Sequence, residues 1–501
     1  MLEAWLQAAA FFLDPVILGA MFMATIIGLI VGILPGIGAM LGTALLLPIV
    51  YRLDATLAIG FLVAFHAVCA MGGCITAILV NVPGEGTSVA TLVDGFPMTR
   101  KGEGGRALGA SLTASMLGGL LPPLMSMGMI PLIVPIVMSF RRAELALLII
   151  WGLACISSLT GKSVIKGVIS ACWGVLIGMV GYHGLTGIAR FTFGLMPLLE
   201  GIGIVTVTLG LFGLSEMIGM ITEKQETISS VTVKPKMRDV LKGAGDVYRH
   251  KWLWFRCTLI GYIIGIIPGV GGETAIWLAY AHAKQTSKYP EKFGTGVVEG
   301  VIAPGSGVNA KEAGDLLTTM VLGVPGGAAM ALFLGAFYAV GVIPGPKMLV
   351  DHLPLAFTLL IGIAVANVIG GLICLGTAPY LVRISMVHID FLFPLVLALI
   401  ITSTYGMRST MFDVVMVIGF GLLGSLMKRF GYSRPSFLLG FVLGGLFELY
   451  LFQALEFYGP MFFVASPACI VLLVLIVLTF IYPNWEKIYR SSKRLFKGSP
   501  K

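Results

Sequence analysis

Apolar runs of helical length fill this chain, and proline and glycine, rather than charge, interrupt them. The run over residues 16–34 ends at Gly32-Ile33-Leu34-Pro35-Gly36-Ile37-Gly38, and another apolar run follows it to about Tyr51. The same signature returns as Gly265-Ile266-Ile267-Pro268-Gly269-Val270-Gly271, 233 residues later. Proline removes a backbone donor and clashes with the preceding turn, so each apolar helix should stop or kink there. The glycines beyond it open backbone angles closed to other residues. A helix broken inside an apolar segment leaves N–H and C=O groups that lipid cannot satisfy, so such backbone must be buried in protein or line a wet cavity. A second break, Asn81-Val82-Pro83-Gly84-Glu85-Gly86-Thr87-Ser88, follows the apolar run 56–80, and Gly323-Val324-Pro325-Gly326 matches its first four residues 242 residues on.

Around that second pair, Gly72 and Thr76 align with Gly314 and Thr318, and Gly118-Gly119-Leu120 recurs as Gly370-Gly371-Leu372. Matched landmarks in the same order point to an internal duplication. The pattern predicts an all-α polytopic membrane protein with two homologous halves carrying broken or re-entrant helices. An interfacial segment with Trp5, Phe11 and Phe12 is expected over residues 1–15, a first transmembrane repeat over 16–221 and a second over 257–460. Between the repeats, residues 222–256 hold eight Lys/Arg and four Asp/Glu and read as a cytoplasmic linker. The apolar run 461–482 has no partner in the first half and reads as an extra transmembrane helix, followed by a basic tail over 483–501.

Composition narrows the class. The 501 residues are 57% hydrophobic and 11% charged, with mean hydropathy +0.97, where soluble domains carry about 25% charged residues. Many of the 66 glycines fall at four-residue spacing, as in Gly28/Gly32, Gly38/Gly42, Gly174/Gly178 and Gly440/Gly444, which suits close helix packing in membranes. The net charge of +9 sits in loops and the tail, where cytoplasmic loops of membrane proteins concentrate Lys and Arg; it is no sign of nucleic-acid binding. The seven cysteines are scattered through apolar runs without a C-x-x-C and read as small core residues. The N-terminus lacks the basic region of a cleavable signal peptide.

Loop charge bears on the relation of the halves. After the first motif helix the loop is nearly neutral (Arg52, Asp54), and after the second break it is basic (Arg100, Lys101, Arg106). In the second half the order reverses, with Lys284, Lys288 and Lys292 first and only Lys347 and Asp351 later. Opposite bias in equivalent loops implies inverted-topology repeats, with the N-terminus outside and the linker and tail cytoplasmic.

The breaks are also the candidate chemistry. The free N–H groups and partial positive charge of a half-helix N-terminus suit a carboxylate, and half-helix C-terminal carbonyls suit Na⁺. In the first half, the residues expected at a substrate are Pro35, Gly36, Gly38, Pro83, Gly84, Thr87 and Ser88. In the second half they are Pro268, Gly269, Gly271, Asn309, Pro325 and Gly326. Asn81, Glu273 and Asp315 are the candidates for ion coupling, since hard cations take oxygen donors. Ionisable residues inside a membrane are functional candidates by default, which adds Glu85, Lys311 and Glu312; Lys311 could pair with an anionic substrate or with Glu312. His66, alone in its span, reads as a packed, hydrogen-bonded histidine, and Glu200, Glu216 and Glu448 stand in apolar runs with no motif.

Gly32 to Gly38, the break at 81–84, Asp94-Gly95-Phe96-Pro97-Met98 and Gly104-Gly105-Arg106-Ala107-Leu108-Gly109 together carry a family likeness. So do Gly265 to Gly271, Glu299-Gly300-Val301-Ile302-Ala303-Pro304, Leu322 to Gly326 and Pro344-Gly345-Pro346. From about residue 16 to 460 the chain resembles the large membrane subunit of the tripartite tricarboxylate transporters. The resemblance implies a multi-pass carrier in the bacterial inner membrane, importing a small organic anion such as a di- or tricarboxylate by symport. It implies two partners, a small membrane subunit and a periplasmic solute-binding protein. It implies no cofactor beyond a coupling ion, Na⁺ or H⁺, and no metal site.

Enzymatic chemistry has no visible seat. There is no H-E-x-x-H or G-x-S-x-G, and Gly161-Lys162-Ser163 lacks the first glycine of a phosphate loop because position 156 is Ile. The runner-up is a membrane scaffold or receptor subunit that senses solute through its binding protein without flux; an intramembrane enzyme is a third reading. For inverted halves, Lys101→Cys and Lys288→Cys should both resist an impermeant thiol reagent applied outside and react after permeabilisation. Labelling on opposite faces would exclude the inversion.

Overall fold

A computed structural model describes residues 2–34, 38–50, 53–81, 84–159, 163–183, 187–222, 236–268, 271–381, 389–408 and 410–481. The chain is helical almost throughout, in chain order α1 Leu2–Phe11, α2 Pro15–Ile33, α3 Gly38–Val50, α4 Ala55–Val80, α5 Val89–Arg100, α6 Gly104–Gly118, α7 Leu121–Met138, α8 Arg142–Leu159, α9 Val164–Gly178, α10 Ile204–Thr208 and α11 Ser215–Thr222. There follow α12 Met237–Arg249, α13 Lys251–Ile266, α14 Gly271–Thr286, α15 Glu299–Leu322, α16 Met330–Ala339, α17 Met348–Asp351, α18 Leu353–Leu381, α19 Ile389–Arg408, α20 Met411–Phe430, α21 Arg434–Tyr458 and α22 Pro467–Ile481. Among the described residues the strands are one two-residue ribbon, Gly181–Tyr182 against Ala189–Arg190. Among the described residues, six helical stretches are long and apolar enough to cross a membrane, including Pro15–Ile33, Ala55–Val80 and Leu353–Tyr380. The all-α polytopic class is thus what the apolar pattern predicts.

Two compact units emerge, and each draws on both halves of the sequence. Unit one comprises residues 1–138 and 203–426, and unit two comprises 139–202 and 427–501. In unit two, α9 and α21 meet backbone to backbone. A Cβ at Gly174 would stand 1.9 Å from the Phe437 carbonyl oxygen, and one at Gly440 would stand 2.1 Å from that of Ala171. Its buried Glu448 is held by both terminal nitrogens of Arg190, at 2.7 and 2.9 Å, so that acid is paired within its unit.

Unit one is built on two matching crossings. Where α2 meets α4, a Cβ at Gly28 would stand 2.3 Å from the Phe65 carbonyl oxygen and one at Gly32 would stand 2.1 Å from that of Cys69. Where α13 meets α15, a Cβ at Gly261 would stand 2.7 Å from the Gly307 backbone and one at Gly265 would stand 2.4 Å from the Lys311 carbonyl oxygen. Gly261 and Gly265 follow Gly28 and Gly32 by 233 residues, and the repeat offset of 242 carries Phe65 to Gly307 and Cys69 to Lys311. Small residues bring the paired backbones this close, so each core helix presses on the helix that ends at a break. Both core helices also end alike, α4 at Asn81 (φ 62°) and α15 at Gly323 (φ 66°), each in the left-handed region.

The polar stretch 222–256 is largely helix where it is described. α12 seats Gly243 on the Arg106 carbonyl oxygen, with a would-be Cβ 1.9 Å away, and its buried Asp246 accepts from Arg106 Nε at 2.5 Å. Gly32→Val and Gly265→Val should each cost about 3 kcal/mol or more, as over-packing against backbone that cannot yield. Gly60→Ala and Gly376→Ala, which meet open space, should change stability by about 1 kcal/mol or less. Thermal unfolding followed by size exclusion in detergent separates the two classes.

Candidate functional site

The first break is satisfied by the second. α2 ends at Leu34 in extended backbone (φ −76°, ψ 115°), and α3 starts at Gly38 with φ +59°. Glu85, from the break after α4, places its carboxylate at this new N-terminus, where Oε2 accepts from Ala39 N at 3.1 Å. The Thr87 hydroxyl donates to Glu85 Oε1, and the Ser88 hydroxyl donates to the Glu85 carbonyl oxygen at 2.8 Å. Gly84 permits the approach, since a Cβ there would stand 2.4 Å from the Gly32 carbonyl oxygen and 2.5 Å from the Gly73 Cα. A carboxylate at a helix N-terminus meets unpaired N–H groups and a partial positive charge.

The second half repeats the break but fills it differently. α13 ends at Ile267 in extended backbone (φ −80°, ψ 114°), followed by buried Pro268 and then α14 from Gly271. The Thr318 hydroxyl donates to the Ile266 carbonyl oxygen at 2.7 Å, satisfying an acceptor that the interrupted helix leaves open. Buried Lys311 lies along Gly272, where a Cβ would stand 2.2 Å from Lys311 Cε and 2.8 Å from Thr87 Cγ2. The second break of the first half therefore touches the first break of the second half. The Lys311 ammonium reaches Glu312 Oε1 at 2.7 Å and Asp315 Oδ2 at 3.3 Å. His66, from α4, brings Nε2 to 2.8 Å from Glu312 Oε2, a contact that becomes an ion pair when the imidazole is protonated. The ring packs edge-on against Phe333 beside a small cavity that Met330 and Ile363 also line.

Asp315 sits beneath the last break. The Thr319 hydroxyl donates to the Asp315 carbonyl oxygen at 2.6 Å and accepts from Gly326 N at 3.3 Å. Burying these charges is costly, and the cluster persists because the cation faces two carboxylates at short range. Removing one partner would leave an uncompensated charge in a dry interior.

Gly38, Gly84, Thr87 and Ser88 thus gather around Glu85, Gly326 closes over Asp315, and Pro325 is buried next to Gly326 in sequence. Asn309, one turn before Glu312, instead donates its amide to Asn367 Oδ1 on α18. Asn81 is exposed at the end of α4. Pro35, Gly36, Pro83 and Gly269 lie outside the described residues, as does the Glu273 side chain.

His66 is packed, as the sequence reads it, and the structure supplies the partner that the sequence did not name, Glu312. Sequence reasoning gave Asp94 no role. Asp94 is a hub: buried on α5, it accepts at Oδ1 from Gly294 N, Gly296 N and Val297 N at 2.8–3.0 Å, and at Oδ2 from Tyr280 OH at 2.9 Å. This one carboxylate fixes the loop that launches α15. An acid in the otherwise apolar motif 94–98 was the available signal, but its partners lie 186–203 residues away.

The family model described as "Tripartite tricarboxylate transporter TctA family" matches residues 18–439. The chain is 33% identical over 443 residues to an Agrobacterium vitis protein described as "Uncharacterized 52.8 kDa protein in TAR-I ttuC' 3'region", covering 88% of each. It is 32% identical over 195 residues to a second Agrobacterium vitis protein, "Uncharacterized protein in TAR-II ttuC' 3'region", which spans 39% of this chain and 81% of that one. No solved structure matches. Glu85→Ala should uncap α3 at a cost of about 1 kcal/mol, accelerating amide exchange at Ala39 and its neighbours about fivefold. Exchange that stays unchanged there would mean that Glu85 is not the cap.

Proposed function

We propose, for a chain that belongs to the tripartite tricarboxylate transporter TctA family, that unit one carries a small organic anion across the bacterial inner membrane. The family forms the large membrane subunit of a three-part system, so the chain is a transporter subunit rather than an enzyme. The solute belongs to the di- or tricarboxylate class, a periplasmic solute-binding protein delivers it, and a small membrane subunit completes the complex. An ion gradient drives uptake.

One observation carries this reading: the broken helix at α3 already holds a carboxylate, Glu85, on a free N–H of its first turn. A substrate carboxylate finds the same donors when Glu85 moves aside, and Thr87 can transfer its hydroxyl bond from one to the other. Release stays easy because dipoles and a movable side chain, not a fixed arginine clamp, hold the anion. Inverted repeats agree with two pairings at the ends of α4. Gly296, in the basic loop of the second half, packs on Pro97 and Met98 near the basic turn of the first half. At the other end, Thr56 and Thr358, beside the two near-neutral loops, line one small cavity.

The test is uptake in proteoliposomes holding this chain, its small membrane partner and the binding protein. Labelled citrate, malate and succinate serve as probes, together with any hit from a ligand screen on the binding protein. Uptake should saturate, collapse with the ion gradient and fall sharply when the binding protein is omitted. Thr87→Ala should raise the apparent substrate constant about fivefold, the worth of one hydrogen bond, while changing the maximal rate less. Docking of the loaded binding protein without flux would instead mark a receptor.

A further inference from the structure

The match between the halves can be read position by position around Lys311. At the offset of 242 residues, Asp315 takes the place of Gly73 and Gly327 takes the place of Glu85. In the first half the carboxylate comes from the break, and a Cβ on Gly73 would stand 3.3 Å from Glu85 Cγ. In the second half it comes from the core helix, and a Cβ on Gly327 would stand 3.0 Å from Asp315 Oδ2. Each half thus sets one carboxylate between its core helix and the break that follows, and supplies a glycine opposite to make room.

The second core helix also gains two charges: Glu312 replaces Ala70, and Lys311 replaces Cys69, whose thiol donates to the Gly28 carbonyl oxygen at 3.2 Å. Only the second carboxylate therefore receives a cation from its own core helix. The Lys311 side chain is 6% exposed as a residue and is threaded past Gly272, where any side chain would collide with it. Asp315 gives it Oδ2, while Asp315 Oδ1 is buried and has no hydrogen-bond partner among the described residues. A buried carboxylate beside a half-helix break, with an oxygen to spare, is what a hard monovalent cation would use. An ammonium is a compact point charge that satisfies the same oxygens.

We infer that Lys311 is a built-in cation standing beside Asp315 in the position of a coupling Na⁺, so that the chain binds no Na⁺ there until the ammonium is removed. The inference rests on the transporter reading above and replaces Asp315 as a Na⁺ ligand with Asp315 as the lysine's partner. Among the described residues, the other charged or titratable groups around it are Glu312 on α15, His66 and Cys69 on α4, and Glu85 in the break after α4.

Binding of ²²Na⁺ to the purified full-length chain tests this, read as the difference between each protein and the same protein carrying Asp315→Asn. The unmodified chain should show no Asp315-dependent binding. Lys311→Ala should make Asp315-dependent binding appear, with an apparent Kd at least about tenfold below the detection limit set by the unmodified chain, equal to about 1.4 kcal/mol. If Lys311→Ala alone does not fold, Lys311→Ala with Glu312→Gln removes one charge of each sign and keeps Asp315. Asp315-dependent Na⁺ binding by the unmodified chain overturns the inference, and so does its absence from the folded lysine variants. Failure of gradient-driven uptake would defeat the transporter reading without touching this binding result, and Na⁺ bound at Asp315 with Lys311 intact would leave that reading standing.

Discussion

A helix broken within hydrocarbon exposes N–H and C=O groups that nothing in the lipid can satisfy. Unit one answers that constraint from within its own chain. Glu85 takes the N–H of Ala39 at the start of α3, and Thr318 takes the carbonyl of Ile266 at the end of α13. Thr319 bridges the backbone of α15 to Gly326 in the last break. Glu85 and Thr318 each satisfy the end of another helix, so the breaks hold one another in place.

Such mutual capping requires the backbones to lie almost in contact. The glycine crossings of α2 on α4 and of α13 on α15 provide this, since any side chain at Gly32 or Gly265 would collide with a carbonyl oxygen. Asp94 then ties the end of α5 to the loop before α15, using three backbone donors and a tyrosine hydroxyl. Buried polar hubs are costly when partly satisfied and rigid when fully satisfied. Three backbone N–H groups of the loop before α15 are held in this way by one carboxylate.

The charged residues extend the same logic to function. A transport site must hold an anion and a driving cation and then let both go. Here the chain supplies its own anion at one break, Glu85, and its own cation at another, Lys311. Each of these two charges is met from within, Glu85 by the Ala39 N–H and the Thr87 hydroxyl, and Lys311 by Glu312 and Asp315.

The sequence alone determined the membrane class, the positions of the breaks and the order of matched landmarks, because each rests on short-range chemistry. Apolar content, the fixed φ and missing donor of proline, and the freedom of glycine are properties of residues and their neighbours. The sequence also marked Glu85, Lys311, Glu312 and Asp315 as unusual by their apolar surroundings. Only the tertiary structure decided what they meet. Glu85 finds Ala39 at a separation of 46 residues, His66 finds Glu312 across the repeat, and Lys311 takes the Glu312 pairing that the sequence offered and adds Asp315. It also divided the chain into units that cut across the two halves. These pairings follow from where glycine lets two backbones touch, and that contact exists only once helices far apart in sequence are packed together.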